Sequence, residues 1–309
     1  VNSQDEPRPV STAEDPAASL RPPGTPRPSL TIVLPAYNEA TRIEPALEEL
    51  FGYLLRGGRP RSGGRSSDEL GAWEVLVVDD GSTDDTVAIV EGLVESTRAE
   101  DTQPRLRVLR CPHRGKGGAV TAGVLAATGD LVIFADADMA TPPDQMPLLT
   151  AALADHEIAL GSRVQPDGRD RRASQPLHRR LLGRVYRKLA GVWVTGDVPD
   201  TQCGFKGFRR EVGRDLFAQL KTTGIVFDAE VIHLARRRGY SMAIVPVMWH
   251  DVRGSRMRVR PGLALAVLWD LLRIPFLHRE VRRVERPAGV GPSSPAIARP
   301  AAPSSADDA

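Results

Sequence analysis

Leu131-Val132-Ile133-Phe134-Ala135 runs without interruption into Asp136-Ala137-Asp138-Met139-Ala140-Thr141. Five consecutive apolar residues that stop abruptly at carboxylates read as a strand buried on both faces, with a polar edge at its carboxyl end. The same grammar repeats upstream. Leu30–Leu34 and Trp73–Val78 are further apolar strand runs, followed by PAYNE and DDGSTDDT, and Leu106–Leu109 is a shorter one. Between them, Glu44–Leu55 and Asp84–Ser96 carry apolar residues at helical spacing, and Gly117–Ala127 is a helix of small residues. Buried strands alternating with helices predict an α/β fold: a mostly parallel, Rossmann-like sheet with helices on both faces. Ligands of such sheets sit at the carboxyl ends of the strands, where these three polar clusters converge.

Composition narrows the class. Of 309 residues 41% are hydrophobic, which suits one large globular domain, and no internal repeat is found. A net charge of +2 and 5% aromatics argue against a nucleic-acid binder. Two cysteines, Cys111 and Cys203, make neither a disulfide framework nor a zinc site. No run of 18 apolar residues occurs and the first residues lack a signal-peptide pattern, so a cytoplasmic location without a membrane span is expected. Residues 1–29 and 287–309 are rich in Pro, Ala and Ser and are expected to be disordered tails. Arg56–Ser67 (RGGRPRSGGRSS) reads as a surface loop. The expected domain is 30–254, followed by a basic amphipathic segment, 255–286.

The chemistry lies in the polar edges. If the chain stays extended, alternation puts Asp136 and Asp138 on one side, as hard oxygen ligands for Mg²⁺ or Mn²⁺ bridging to a diphosphate. The structural alternative is a pair of helix caps. Asp79-Asp80-Gly81-Ser82-Thr83-Asp84 combines a glycine turn with capping residues, leaving one acid of the Asp79/Asp80 pair to meet a base or ribose. Gly115-Lys116-Gly117-Gly118 opens a helix whose start favours anions. Lys116 stands out because arginines outnumber lysines 37 to 4. His113, His178, His233 and His250 lack metal-ligand spacing and read as surface or packing residues.

Taken together, TIVLPAYNE, VLVVDDGSTDDT, RGKGGAVTAG, FADADMAT, the Gly161-Ser162-Arg163 turn and DTQCGFKGF resemble family 2 glycosyltransferases of the GT-A fold. The resemblance covers about Leu30 to Gly254. It is nearest to dolichyl-phosphate (polyprenyl-phosphate) β-glucosyltransferases, with dolichyl-phosphate mannose synthases next. It implies an inverting, metal-dependent transfer of glucose from UDP-glucose to a polyprenyl phosphate, with GDP-mannose as the alternative donor and a soluble or polysaccharide acceptor as another alternative. Met139-Ala140-Thr141 after the acidic pair is nearer the glucosyltransferase pattern. The resemblance places Pro35, Ala36, Tyr37 and Glu39 along the nucleotide pocket, with Asp79 or Asp80 at uracil and ribose. Asp136 would approach ribose or metal, with Ala137 between it and the metal ligand Asp138. Arg163 would face a phosphate of donor or acceptor. Asp200, Gln202 and Lys206 would border the sugar and the acceptor phosphate. Phe227-Asp228-Ala229-Glu230 is similar to an acidic patch near the acceptor, and Asp200, Asp228 and Glu230 remain as possible bases.

Two segments bear on the acceptor. Between Arg163 and Lys188 nine basic residues face two acids, and between Asp251 and Arg286 nine arginines face four acids. Apolar runs lie among them: LLGRVYRKLAGVWV, Leu181–Val194, and LALAVLWDLLRIPFL, Leu263–Leu277. Apolar helices flanked by arginines suit an anionic membrane interface, here peripheral and on the cytoplasmic side. A core-packing role for the second run is the equal alternative.

Overall fold

The seven segments read from the sequence up to Ala135 fold as expected, with ends displaced by at most two residues. The computed structural model describes residues 28–57, 71–98, 106–165, 167, 186–250, 261–284 and 296–297. Most of the expected loop 56–67, much of both basic segments and most of both tails lie outside the described residues.

Strands β1 (Leu30–Ala36), β2 (Trp73–Asp79), β3 (Leu106–Arg110) and β4 (Leu131–Ala135) alternate with helices α1 (Ile43–Leu55), α2 (Thr86–Arg98) and α3 (Lys116–Ala126). Next come α4 (Met146–Asp155), β5 (Ile158–Ser162), a π-helical turn Gly191–Thr195, β6 (Phe205–Arg209) and α5 (Arg210–Phe217). Then follow α6 (Phe227–Arg238), β7 (Met242–Pro246), α7 (Pro261–Leu277) and β8 (Ala296–Ile297). Among the described residues the strands form one sheet in the order β3-β2-β1-β4-β6-β5-β7-β8. β1 pairs parallel with β2 and β4, and β5 parallel with β7.

β6 is the departure from the parallel pattern. It runs antiparallel between β4 and β5, with Ala135 opposite Phe205 and Phe134 opposite Lys206. A reversed strand there returns residues 200–204 to the carboxyl end of β4, beside the acidic pair.

Each face of the sheet is covered. Ile32, Leu34, Val75 and Ile133 pack under α1 and α4, with Leu47, Leu50 and Leu149. Val33, Val78 and Phe134 pack under α3, α5 and α6, with Val124, Phe217 and Phe227. Most of these side chains are wholly buried, and each contributes about 1.5–3 kcal/mol relative to exposure. Gly123 lets α3 sit directly on β1 and β2, since a Cβ there would lie 2.3 Å from Val33 Cγ1. α6 ends on Gly239 in the left-handed region, with Arg236, Arg237 and Arg238 in its last turn beside the negative helix end.

The expected tail boundaries shift in two places. Ser29 is tied to Asp130 through both its N–H (3.0 Å) and its hydroxyl (2.9 Å). Ala296–Ile297, expected outside the fold, pairs parallel with Ala243–Ile244 because β7 otherwise presents an open edge.

α7 answers both readings of its sequence. Leu271 and Ile274 are buried against Ala190, Val194, Val226 and Ala229. Leu265, Trp269 and Phe276 on the same helix are exposed by 69, 66 and 67%. It is therefore a core-packing helix that is also apolar on its outer face. No helix of the described residues is long and apolar enough to cross a membrane.

Candidate active site

The carboxyl ends of β1, β2 and β4 meet at one edge, as the polar clusters require. β1 leaves through Pro35 and Ala36, the latter buried and in register with Asp79. Tyr37 beyond it stacks on His113, with ring centroids 4.2 Å apart and planes 24° apart. His113, read from the sequence as a surface or packing residue, thus helps to form an exposed aromatic platform beside β2. No metal-like spacing marks it, so pattern alone could not have singled it out.

Asp79 and Asp80 are both buried and both engaged. Asp79 accepts from Gly81 N (3.2 Å) and Ser82 N (3.1 Å). Asp80 accepts from Arg114 N (2.8 Å) and Gly115 N (2.9 Å), and His113 Nδ1 lies 2.9 Å from its Oδ2. The expectation that one acid is left over is therefore corrected: each carboxylate shapes a turn. Asp80 in particular holds the turn that launches α3, where Gly115 takes φ 91°.

Asp136 and Asp138 do not lie on an extended chain. Met139 N donates to the Asp136 carbonyl at 3.1 Å and Met139 itself has φ 48°, so residues 136–139 form a turn. The carboxylates remain neighbours, since the charge of Asp136 is felt at Asp138. Lys116 forms an ion pair with Asp136 Oδ1, which brings that lysine to the edge where β4 ends. Asp136 rests on Gly204, where any Cβ would collide with both of its oxygens. Burial, followed by the charge of Asp136, raises the Asp138 carboxyl above the usual range, against the pull of Ala140 N, Arg42 and Lys116. Lys116 is half-buried, which would lower its pKa, yet the charges of Asp136, Asp228 and Asp138 outweigh burial and raise it.

Below this edge the structure corrects several expectations. Lys206, expected beside the acceptor phosphate, is wholly buried in mid-sheet. Its ammonium donates to Asp228 Oδ1 (2.5 Å) and the Cys203 carbonyl (2.6 Å) and lies 5.4 Å from the Phe134 ring centroid. Asp228 and Glu230, expected as an acidic patch near the acceptor, are buried at the start of α6. Glu230 accepts from Lys221 N (2.7 Å) and Thr222 N (2.9 Å), and His278 Nε2 lies 2.5 Å from it. Asp200 is 1% exposed and takes Arg163 through its backbone N–H (3.0 Å), Nε (2.7 Å) and Nη2 (2.8 Å). Burial works against the Arg163 charge, but Asp200 outweighs it and raises the guanidinium pKa. Arg163 lies 5.8 Å from the Trp249 ring centroid, and Gln202 is half-buried nearby.

From Asp136 inward the charges alternate, Asp136, Lys116, Asp228 and Lys206, with the like-charged Asp138 beside Asp136 at the rim. Sequence reasoning missed Arg42, just before α1. Its Nε and Nη2 both bond to Glu39 at 2.6 Å, and its Nη1 lies 3.9 Å from Asp138 Oδ2. The Glu-x-x-Arg spacing was available as a signal. Glu39, expected along the nucleotide pocket, spends its carboxylate on that arginine.

A mostly parallel sheet carries this pair of acids at the end of β4, and the chain belongs to glycosyl transferase family 2, whose profile matches residues 31–217. It is a glycosyltransferase. Its relatives include the dolichyl-phosphate beta-glucosyltransferase ALG5C of Trichomonas vaginalis, 35% identical over 256 residues, covering 81% of this chain and 71% of that protein. The dolichyl-phosphate beta-glucosyltransferase of Drosophila melanogaster is 34% identical over 258 residues, covering 79% and 76%. The human dolichyl-phosphate beta-glucosyltransferase is 30% identical over 241 residues, covering 75% and 71%. Among solved structures, the glucosyl-3-phosphoglycerate synthase of M. tuberculosis superposes with a TM-score of 0.51 at 22% identity, covering 85% of this chain and 84% of that one. That likeness establishes a GT-A type fold.

Proposed function

We propose that this glycosyltransferase moves glucose from UDP-glucose to a polyprenyl, dolichyl-type phosphate, with inversion at the sugar carbon. The observation that carries the reading is the set of relatives whose names give both the sugar and the acceptor, at 30 to 35% identity. The site supports it. The Tyr37–His113 platform offers a stacking surface for a base at the end of β1, with the Asp79 and Asp80 turns beside it.

A divalent cation, Mg²⁺ or Mn²⁺, fits the donor set. Asp136 and Asp138 provide hard carboxylate oxygens whose mutual repulsion a cation relieves. No group of three or more His, Cys, Asp or Glu gathers among the described residues, so diphosphate and water complete such a site. A cation bound there supplies positive charge to the departing diphosphate. Lys116 adds an ammonium at the same edge, and Arg163, held by Asp200, adds a guanidinium within reach of the Asp136 charge.

A phosphate acceptor arrives already anionic and needs its charge neutralised, whereas an alcohol needs a general base. The buried acids Asp200, Asp228 and Glu230 are all engaged by cations or N–H donors, so none of the three stands ready as a general base. Polyprenyl phosphate is therefore expected to be glucosylated from UDP-glucose while the matching polyprenol is not, as read by mass spectrometry of the lipid product. Efficient transfer to the free alcohol would defeat the acceptor assignment.

Membrane contact belongs to the same proposal: peripheral, on the cytoplasmic face, through α7 and the neighbouring π-helical turn. Trp193 is 48% exposed, its indole N–H donates to the Leu272 carbonyl at 3.0 Å, and its ring lies 6.2 Å from Phe276. With Val192, Leu265 and Trp269 this makes a continuous exposed apolar surface on two segments. The arginines that flank it in sequence favour anionic lipid by about 1 kcal/mol each near the surface. In liposome flotation, recovery is expected to fall several-fold with Trp269→Glu or Phe276→Glu, and to fall with rising salt on anionic vesicles. Unchanged recovery in folded variants would remove this surface from the account.

A further inference from the structure

Arg42 holds a buried polar atom for which the site, as described, gives no use. Its Nε and Nη2 are taken by the two oxygens of Glu39, each at 2.6 Å, which fixes the guanidinium plane. Nη1 is buried and has no hydrogen-bond partner among the described residues. It lies 3.9 Å from Asp138 Oδ2, too far for a hydrogen bond and close enough for one small rotation to make it. Buried donors are almost always satisfied, so an orphan at a functional edge points to a partner that arrives or turns.

Glu39 is well anchored for the task. Its N–H donates to the Thr86 hydroxyl at 2.7 Å, and its carbonyl accepts from Arg42 N (2.8 Å) and Ile43 N (2.9 Å) to begin α1. Thr86 is wholly buried and in turn bound to Asp84 at 2.5 Å. The clamp therefore sits on two secondary-structure elements and cannot swing freely. On the other side, Asp138 Oδ1 accepts Ala140 N at 3.2 Å, which leaves Oδ2 as the oxygen that faces Arg42.

We propose that Glu39 and Arg42 are a positioning pair for Asp138: Glu39 aims the guanidinium, and Nη1 holds the Asp138 carboxylate in the rotamer that binds a divalent cation. This rests on the reading of Asp138 as a metal ligand. Ligating carboxylates are themselves held by hydrogen bonds, and loss of such a support costs about 10–100-fold in metal affinity. Glu39 then serves the site without touching nucleotide.

The test is Mn²⁺ binding, followed by the EPR signal of free Mn²⁺ during titration of the full chain with UDP present. Arg42→Gln is expected to weaken Mn²⁺ binding by about 10–100-fold. Glu39→Gln, which loosens the clamp and keeps its size, is expected to shift it in the same direction by less. UDP binding in EDTA is expected to be unchanged in both. Wild-type Mn²⁺ affinity in a folded Arg42→Gln variant, or in Glu39→Gln if that one alone folds, overturns the inference and leaves the metal reading standing. Loss of UDP binding in EDTA also overturns it, because Arg42 then contacts nucleotide directly. Failure of the wild-type chain to bind Mn²⁺ with UDP brings down the metal reading and this inference together.

Discussion

Asp138→Asn is expected to lower turnover at least a hundredfold, roughly the cost of losing one preorganised electrostatic group at a developing charge. The replacement is close to isosteric. Its amide oxygen can still accept Ala140 N, so the 136–139 turn and the left-handed Met139 survive. What disappears is the negative charge, and with it, on the proposed metal reading, a hard ligand that water would replace poorly beside a single remaining carboxylate. The expected pattern is a normal melting midpoint, weakened nucleotide-sugar binding in Mn²⁺, and a collapse of kcat that added metal does not restore. Turnover within a few-fold of wild type, with metal present, would show that Asp138 has no part in the transfer.

Lys206→Met is expected to act on stability instead. It removes the cation bonded to Asp228, which is buried at the start of α6. Breaking such a pair from one side costs about 3–5 kcal/mol, because a buried carboxylate loses its hydrogen-bonded cation and keeps only the charge of Lys116. For a domain of this size that is a fall of roughly 10 °C in melting midpoint. The double variant Lys206→Met/Asp228→Leu is expected to recover most of the loss, since replacing both partners by apolar groups is often neutral. Differential scanning calorimetry on the three proteins decides it. A single variant as stable as wild type would mean that Asp228 finds protons or water that the burial of its surroundings denies it.

The contrast between these residues shows where sequence reading reaches. Asp138 and Lys116 were legible because each breaks a local pattern: a carboxylate ending an apolar strand, a lysine in a chain of arginines. The alternation of strands and helices up to Ala135 was equally plain, since the strands there are short, mostly apolar runs set between segments of helical spacing. Lys206 and Asp228 were legible as unusual residues but not as buried ones. Motif position says that a lysine matters; only the register of β6, opposite Phe134 and Leu160, says that it points into the core. Asp80 shows the same limit, because backbone N–H groups supplied by a loop 34 and 35 residues away leave no mark in composition. Arg42 was missed because an arginine among 37 draws no notice. Its meaning comes from an orphaned atom, which exists only in three dimensions.

β6 has a consequence for how this chain comes into being. Among the described residues it alone joins β1–β4 to β5 and β7, and it does so by pairing with both neighbours in the reverse direction. During vectorial synthesis β4 and β5 are complete before Phe205 has been made, so each leaves an unpaired ladder waiting for a strand that comes later. Pairings of such sequence separation slow the final assembly step and leave open edges for a neighbouring chain to capture. A nascent chain ending after Ser162 already carries Asp136, Asp138 and Lys116, yet it lacks Gly204 beneath Asp136 and the wall that Arg163 and Asp200 build. Competence for chemistry is thus acquired in one late closure rather than accumulated strand by strand, and a chaperone that shields the β4 edge would act at that moment.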